Sequence, residues 1–242
     1  MNGLSIPFSL YDFVARILPG AVGLFGMYLF INPAMTEAGH KAGFPQVLDQ
    51  WLAADAAFIT GVVVASYLLG QVLGAVSEVL IDIPANRFFG AHIVRDLSHH
   101  NVKEAVRRQF GDDILEQSFR RTFVMVEATV AAHMPSSAAT AGRFIALAGM
   151  FQSLVPAWLI VGVALVRGHA LGVIFPGSFL LVLPAAALIL GVVATMLWSY
   201  RRYKRMWSQT VCMSFVTWVG LEKEAENDKE TDSQSTRSEP KE

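Results

Sequence analysis

The chain alternates between long apolar runs and shorter segments that hold most of its charged residues. The apolar runs cover residues 13–31, 57–77, 144–166 and 180–200. Each has about 20 residues, and at 1.5 Å rise per residue a helix of that length crosses a hydrocarbon layer of about 30 Å. The pattern therefore predicts an all-α, polytopic integral membrane protein, built as a four-helix transmembrane bundle with short cytoplasmic helices.

The first run is expected to be an uncleaved span, because the first ten residues lack the Lys and Arg of a signal peptide. Cleavage near Ala34 or Ala38 is the alternative. The predicted segments are 1–35 (N-terminus and TM1), 36–55 (extracytoplasmic loop), 56–82 (TM2), 83–135 (cytoplasmic helical loop), 136–168 (TM3), 169–179 (short extracytoplasmic loop), 180–205 (TM4 and its basic end), 206–221 (interfacial or cytoplasmic helix) and 222–242 (disordered acidic tail).

Composition agrees with a membrane protein. Of the 242 residues, 53% are hydrophobic and 16% are charged, whereas soluble domains carry about 25% charged residues. The single cysteine, Cys212, excludes an internal disulfide and any CxxC redox or zinc pair. The formal net charge is −1, so we expect no polyanionic partner and no nucleic acid.

The positions of Lys and Arg predict how the spans are oriented. The only basic residues in the first and third connections are Lys41 and Arg167, respectively. The second connection contains seven basic residues, and residues 201–205, directly after the fourth run, contain four more. The basic side is expected to be cytoplasmic, so both termini are predicted to lie in the cytoplasm.

Small residues in the first two spans predict close helix packing. A narrow stripe in TM1 and a GxxxG pair in TM2 would let another helix approach, which replaces the hydrophobic drive that is missing in lipid. The interpretation favours packing within one chain, and an intermolecular contact in a homo-oligomer is the alternative. The glycines concerned are Gly20, Gly23, Gly26, Gly70 and Gly74.

Charged residues at the cytoplasmic ends of the spans predict a structural layer of ion pairs. Ionisable groups near a bilayer tend to pair and to face the interior of the bundle. A gate or ion pathway at the same depth is the alternative interpretation. The layer comprises three acids and four bases: Asp12, Arg16, Glu78, Asp82, Arg143, Arg201 and Arg202.

Three further helices are predicted on the cytoplasmic side. Residues 102–110 form a short helix that Gly111 ends, and a second, amphipathic helix covers 114–132. Residues 206–221 carry no charge, and Trp207, Val211 and Phe215 recur there at helical spacing. That third helix is expected either to lie in the membrane interface or to continue the fourth span.

No catalytic motif stands out, and we expect no cofactor and no metal. The stretch Ser98-His99-His100-Asn101 is similar to one fragment of the histidine boxes of membrane desaturases and hydroxylases. Those enzymes need several boxes, and adjacent histidines on a helix point apart. No GxSxG, HExxH, Walker A or GxGxxG pattern is present.

These features favour a non-enzymatic membrane anchor or oligomeric assembly module of a bacterial-type inner membrane, working with a cytoplasmic protein partner. One alternative is a channel or transporter, in which Gln71, Glu78, Gln152 and Arg143 converge on a water-filled cavity. The other is a membrane enzyme with a cytoplasmic-face site that would combine His92, His99 or His100 with Asp96. The bilayer is the one partner on which all three readings agree.

Overall fold

The computed structural model of the chain describes residues 10–31, 56–82, 96–111, 114, 119–170 and 179–235. Within those ranges the fold is all helical and contains no strand. The four long helices have the length and hydropathy to cross a membrane, which confirms the four predicted apolar helices. The helices are α1 (Leu10–Ile31), α2 (Ala56–Ser77), α3 (His100–Phe110), α4 (Phe119–His133), α5 (Pro135–Ala170) and α6 (Phe179–Ser235).

The chain forms two compact units. The first unit comprises Met1–Arg87 and Ile145–Tyr203, and the second comprises Phe88–Phe144 and Lys204–Glu242. Two long helices contribute to both units: α5 passes from the second to the first after Phe144, and α6 passes from the first to the second after Tyr203.

In the first unit, the backbones of α1 and α2 touch. A Cβ atom on Gly20 would overlap the carbonyl oxygen of Ser66, and a Cβ atom on Gly70 would overlap the carbonyl oxygen of Arg16. Only glycine leaves room for this approach, and in lipid such close packing replaces the hydrophobic drive for helix association.

The remaining glycines of the predicted stripes also lie against other parts of the first unit. A Cβ atom on Gly23 would stand 2.8 Å from Leu73 Cδ1, and one on Gly26 would stand 2.9 Å from the backbone nitrogen of Val161 in α5. A Cβ atom on Gly74 would overlap Nη1 of Arg16. All five predicted packing glycines therefore face groups from another helix of the same chain.

The end of α1 is joined to α5 by one arginine. Arg167 Nη1 donates a hydrogen bond of 2.8 Å to the carbonyl oxygen of Phe30, and the guanidinium carbon lies 4.2 Å from the centre of the Phe30 ring. Because the last carbonyl groups of a helix have no partner within it, a cation at this position satisfies one of them.

The second unit has a conventional hydrophobic core. It is built from Leu97, α3, α4, the first turns of α5 and the part of α6 after the basic cluster. Ring contacts join these helices: Phe110 stacks on Phe215 at 5.7 Å between centres, and Phe123 meets Trp207 edge to face at 4.9 Å. The core residues are Leu97, Val102, Ala105, Val106, Phe123, Val126, Val130, Ala141, Val211, Cys212, Phe215 and Val219.

Local signals define the helix ends in this unit. The helix predicted over 102–110 is confirmed as α3, and Gly111 ends it with φ +87° while its N–H bonds the Arg107 carbonyl at 2.9 Å. The amphipathic helix predicted over 114–132 corresponds to α4, which is described from Phe119 onward. Residues 112, 113 and 115–118, before this point, lie outside the described residues. α5 begins directly with Pro135, whose ring suits the first position of a helix.

Residues 206–221 continue α6 without a break and pack into the core of the second unit. As described, the helix extends to Ser235, within the segment 222–242 for which disorder is predicted, and residues 236–242 lie outside the described residues. Adding a residue to an existing helix needs no new nucleus, so a polar sequence rich in Glu and Lys can extend α6.

Replacing either glycine at the α1–α2 contact by alanine should destabilise the fold. Gly20→Ala and Gly70→Ala should each lower the free energy of unfolding by about 2 kcal/mol or more, because overpacking against a backbone cannot relax easily. Unfolding by SDS titration, followed by circular dichroism, measures this loss. Gly61→Ala is the control, since no described atom outside the neighbouring backbone of its own helix lies within 4 Å of a Cβ atom there. Equal stability of all three variants would contradict the backbone contact.

Truncating the core phenylalanine of the second unit should be costly. Phe215 is fully buried, whereas Met213, two residues away on the same helix, is 66% exposed. Phe215→Ala should cost about 3–5 kcal/mol, and Met213→Ala should change stability by about 0.5 kcal/mol or less.

The alkylation rate of Cys212 reports this unfolding. Burial, with Asp96 as a second cause, raises the pKa of the Cys212 thiol, so the reactive thiolate is scarce in the folded protein. Alkylation should be slow in wild type and Met213→Ala and faster in Phe215→Ala. Fast alkylation of the native protein would contradict the buried position.

Candidate functional site

A polar cavity of about 290 Å³ lies between α1, α2 and α5 in the first unit. It is notable because the surrounding helices are apolar along most of their length. Its wall carries one cation, one anion, two carboxamides and two hydroxyl groups. The lining residues are Arg16, Gln71, Gly74, Ala75, Ser77, Glu78, Gly149, Gln152 and Ser153.

The contact between α1 and α2 brings Arg16 to the cavity. Its carbonyl oxygen lies against Gly70, and its Nη1 atom lies where a side chain at Gly74, one turn further along α2, would stand. Any side chain at position 74 would therefore collide with the guanidinium group. The guanidinium group of Arg16 therefore packs directly against Gly74.

The two hydroxyl groups of the wall are bonded within their own helices. Ser77 donates to the Gly74 carbonyl at 2.7 Å, and Ser153 donates to the Gly149 carbonyl at 2.8 Å. Each hydroxyl has only one proton, so both serines offer the cavity lone pairs rather than donors. The donors available in the cavity come from Arg16 and the amide groups of Gln71 and Gln152.

Opposite charges face the same cavity without a direct bond. Arg16 is half-buried and Glu78 is exposed in the isolated chain, and no salt bridge within 4.0 Å joins the two. Glu78 also begins the π-helical turn Glu78–Asp82 that ends α2, and π-helical turns frequently occur at functional sites. The cavity therefore holds two separated charges of opposite sign beside other polar groups.

A smaller neighbouring cavity, of about 200 Å³, shares Arg16 and Gly149 with the first. Its other lining residues are Ala15, Ile145 and Ala146. The arginine thus borders both spaces, on the side of α5 where Gly149 leaves room for them.

Of the predicted ion-pair layer, the structure brings Arg16 and Glu78 to one cavity. The side chains of Asp12 and Asp82 lie outside the described residues. Arg201 and Arg143 both have interaction partners, and the guanidinium carbon of Arg202 lies 5.5 Å from the centre of the Trp198 ring. The paired layer as a whole stays a prediction.

The channel hypothesis named Gln71, Glu78, Gln152 and Arg143 as the wall of one cavity. The first three line the cavity, together with Arg16, which that hypothesis did not include. Arg143 belongs to the second unit and is not among the lining residues that the structure describes. Sequence reasoning missed Ser153 and Gly149, because their role depends on which face of α5 meets α1 and α2.

The described residues that the membrane-enzyme hypothesis names lie in the second unit. His100 lies 3.8 Å from Glu104 on the exposed side of α3, whereas the Asp96 carboxylate accepts a hydrogen bond of 2.5 Å from Ser208 of α6. His92 lies outside the described residues. In the part of the chain that the structure describes, no three His, Cys, Asp or Glu side chains are grouped so that they could hold a metal ion.

Water should reach the cavity wall but not the neighbouring apolar face of α2. In a Cys212→Ala background, Gln71→Cys and Gln152→Cys should react several-fold faster with a charged, water-soluble thiol reagent than Val72→Cys. Val72 is 56% exposed but does not line the cavity, so detergent or lipid should cover it. Mass spectrometry of the labelled protein measures the rates, and equal rates at all three positions would contradict a hydrated cavity.

Comparison with known proteins gives no indication of family or activity. No family model, no curated protein and no solved structure matches this chain. Any function therefore has to be inferred from the two units and the polar cavity themselves.

Proposed function

We propose that this protein is a non-enzymatic membrane module: α1, α2, α5 and α6 cross the bilayer, and a small cytoplasmic helical unit binds a protein partner. The observation that carries this proposal is the division of the chain into one unit with an apolar surface and one with a buried apolar core. We assign the first unit to the bilayer and the second to the cytoplasm.

The surface of the first unit supports membrane insertion. Leu183, Leu188 and Leu190 of α6 are 58%, 70% and 64% exposed in the isolated chain, and similar side chains are exposed on α1 and α2. Soluble proteins rarely expose contiguous apolar surface of this kind. Lipid would cover these side chains, and the helices are long enough to span it.

The boundaries between the units support the proposed orientation. In α6 the boundary falls after Tyr203, within the basic residues of 201–205, and in α5 it falls after Phe144, next to Arg143. Basic residues concentrate at the cytoplasmic ends of membrane helices. The second unit and both termini would then lie in the cytoplasm, at the inner membrane of a bacterial-type cell.

Exposed apolar side chains on the second unit support a role in assembly. Val124 is 56% exposed on α4, and Met213 and Leu221 are 66% and 56% exposed on α6. A unit with its own core has no structural need for these side chains at its surface. They favour contact with a cytoplasmic protein or with a second copy of this chain.

The polar cavity favours a second candidate function, a channel or transporter. Glu78, Arg16 and the two glutamines would form part of a hydrophilic path at the cytoplasmic side of the first unit. Charged groups inside membrane proteins commonly mark such paths. The membrane-enzyme alternative has no comparable observation in its favour.

Two measurements test the proposed function. Reporter fusions should place residue 242 in the cytoplasm and the segment 36–55 on the opposite side of the membrane. Photo-crosslinkers introduced at Val124 and Met213 of the full chain should then join it to another protein in cells, whereas one at Glu104 should not.

Glu104 is a suitable control, since it is exposed but is already engaged with Arg108 and His100 on α3. Native mass spectrometry in detergent distinguishes a second copy from a different partner. Termini on opposite sides of the membrane, or crosslinking that is equal at all three positions, would refute the proposal.

A further inference from the structure

We propose that the polar cavity of the first unit binds a zwitterion that carries a phosphate and a primary ammonium group. Arg16 would hold the phosphate and Glu78 would hold the ammonium. The inference rests on the proposed function, because membrane insertion would place this cavity at the depth of the lipid headgroups. The same chemistry occurs in the headgroup of phosphatidylethanolamine and in free O-phosphoethanolamine.

The separated charges carry the inference. Arg16 and Glu78 line one cavity and do not form a salt bridge with each other. Among the described residues neither side chain has an ion-pair partner, and ionisable groups near a bilayer tend to be paired. A ligand with one charge of each sign would satisfy both side chains and would add no net charge to the site.

The remaining polar groups fit the two ends of such a ligand. A phosphate group needs donors, which Arg16 supplies in a planar fork and the glutamine amides supplement. An ammonium group needs acceptors, which are the Glu78 carboxylate, the amide oxygens and the lone pairs of Ser77 and Ser153. Since both serine protons are bonded to backbone carbonyls, these hydroxyl groups accept rather than donate.

The wall also discriminates against a quaternary ammonium group. Trimethylammonium groups cannot donate hydrogen bonds and are recognised by aromatic cages. No aromatic side chain is among the residues described as lining the cavity. Phosphatidylcholine should therefore bind more weakly than phosphatidylethanolamine with the same acyl chains.

The position of the cavity along the helices agrees with a headgroup. Arg16 lies in the second turn of α1, and Glu78 follows the last residue of α2. In the proposed orientation both are near the cytoplasmic ends of their spans. The phosphate and ammonium groups of an inner-leaflet lipid occur at this depth.

Competition among lipids tests the inference without altering the protein. The full chain, purified in detergent, is given an equimolar mixture of phosphatidylethanolamine, phosphatidylcholine and phosphatidylglycerol with identical acyl chains. Native mass spectrometry counts the lipid that stays bound. We expect phosphatidylethanolamine to be retained about tenfold over the other two, the factor expected for one charge-assisted hydrogen-bonded contact.

Variants test which residues are responsible. Arg16→Gln and Glu78→Gln should each remove the preference, whereas Arg108→Gln and Glu104→Gln, an exposed pair in the second unit, should keep it. Gly149→Ala should weaken retention by narrowing the cavity, and it should fold because no described atom outside the neighbouring backbone of its own helix lies within 4 Å of its Cβ position. Gly142→Ala on the same helix is the matched control, because a Cβ atom there is equally unobstructed and Gly142 is not among the residues described as lining the cavity.

Free O-phosphoethanolamine distinguishes the two sources of the ligand. If it displaces phosphatidylethanolamine from the wild-type chain, the site takes the soluble zwitterion; without displacement, the site is a lipid site. Equal retention of the three lipids, or an unchanged preference in both charge variants, would overturn the inference. Equal retention together with the expected reporter topology would overturn this site alone and leave the proposed membrane module intact.

Discussion

The main chains of α1 and α2 touch at Gly20 and Gly70, and the polar cavity depends on this contact. In a bilayer two apolar helices gain nothing by hiding from the solvent, so their association relies on close packing. Gly70 contacts the backbone of Arg16, and the guanidinium group of the same residue therefore lies against Gly74, one turn further along α2. The same small residues thus join the helices and bring a cation to the wall of the cavity.

The electrostatic character of the cavity follows from how each polar group is used. Ser77 and Ser153 direct their protons to their own helices. Arg16 and Glu78 face one space and form no salt bridge with each other. Charges interact more strongly where the surroundings are poorly polarisable, so two charges left apart at one cavity are a feature that the packing of the helices alone does not explain. A membrane anchor needs no such cavity, so the cavity is the feature that most favours a binding site in this protein.

One helix, α6, has a different surface in each unit. Its first part exposes leucines in the first unit, and its later part buries Val211 and Phe215 in the core of the second. The basic cluster of 201–205 separates these two parts along the chain. Because an α-helix satisfies its backbone hydrogen bonds internally, it can run through an apolar and a polar segment without a break.

Several features of the fold could be predicted from local signals alone. The apolar runs at 13–31 and 57–77 correspond closely to α1 and α2, because length and hydropathy decide whether a helix can span a bilayer. Gly111 ended α3 as predicted, because a positive φ favours glycine. The predicted third span, 136–168, also corresponds closely to α5. The C-terminal end of α6 was less predictable, since a helix that already exists can be extended through a polar segment without a new nucleus.

What the sequence by itself determined is the number of long apolar helices, the segments of the chain in which charge accumulates and the glycines suited to close packing. Only the tertiary structure decided which groups meet: Gly70 with the backbone of Arg16, and Gln152 and Ser153 with Glu78 at one cavity. The physical reason is that periodicity defines the face of a single helix, whereas a cavity depends on how several helices are rotated and shifted against each other. Those rotations are set by packing between residues far apart in the chain.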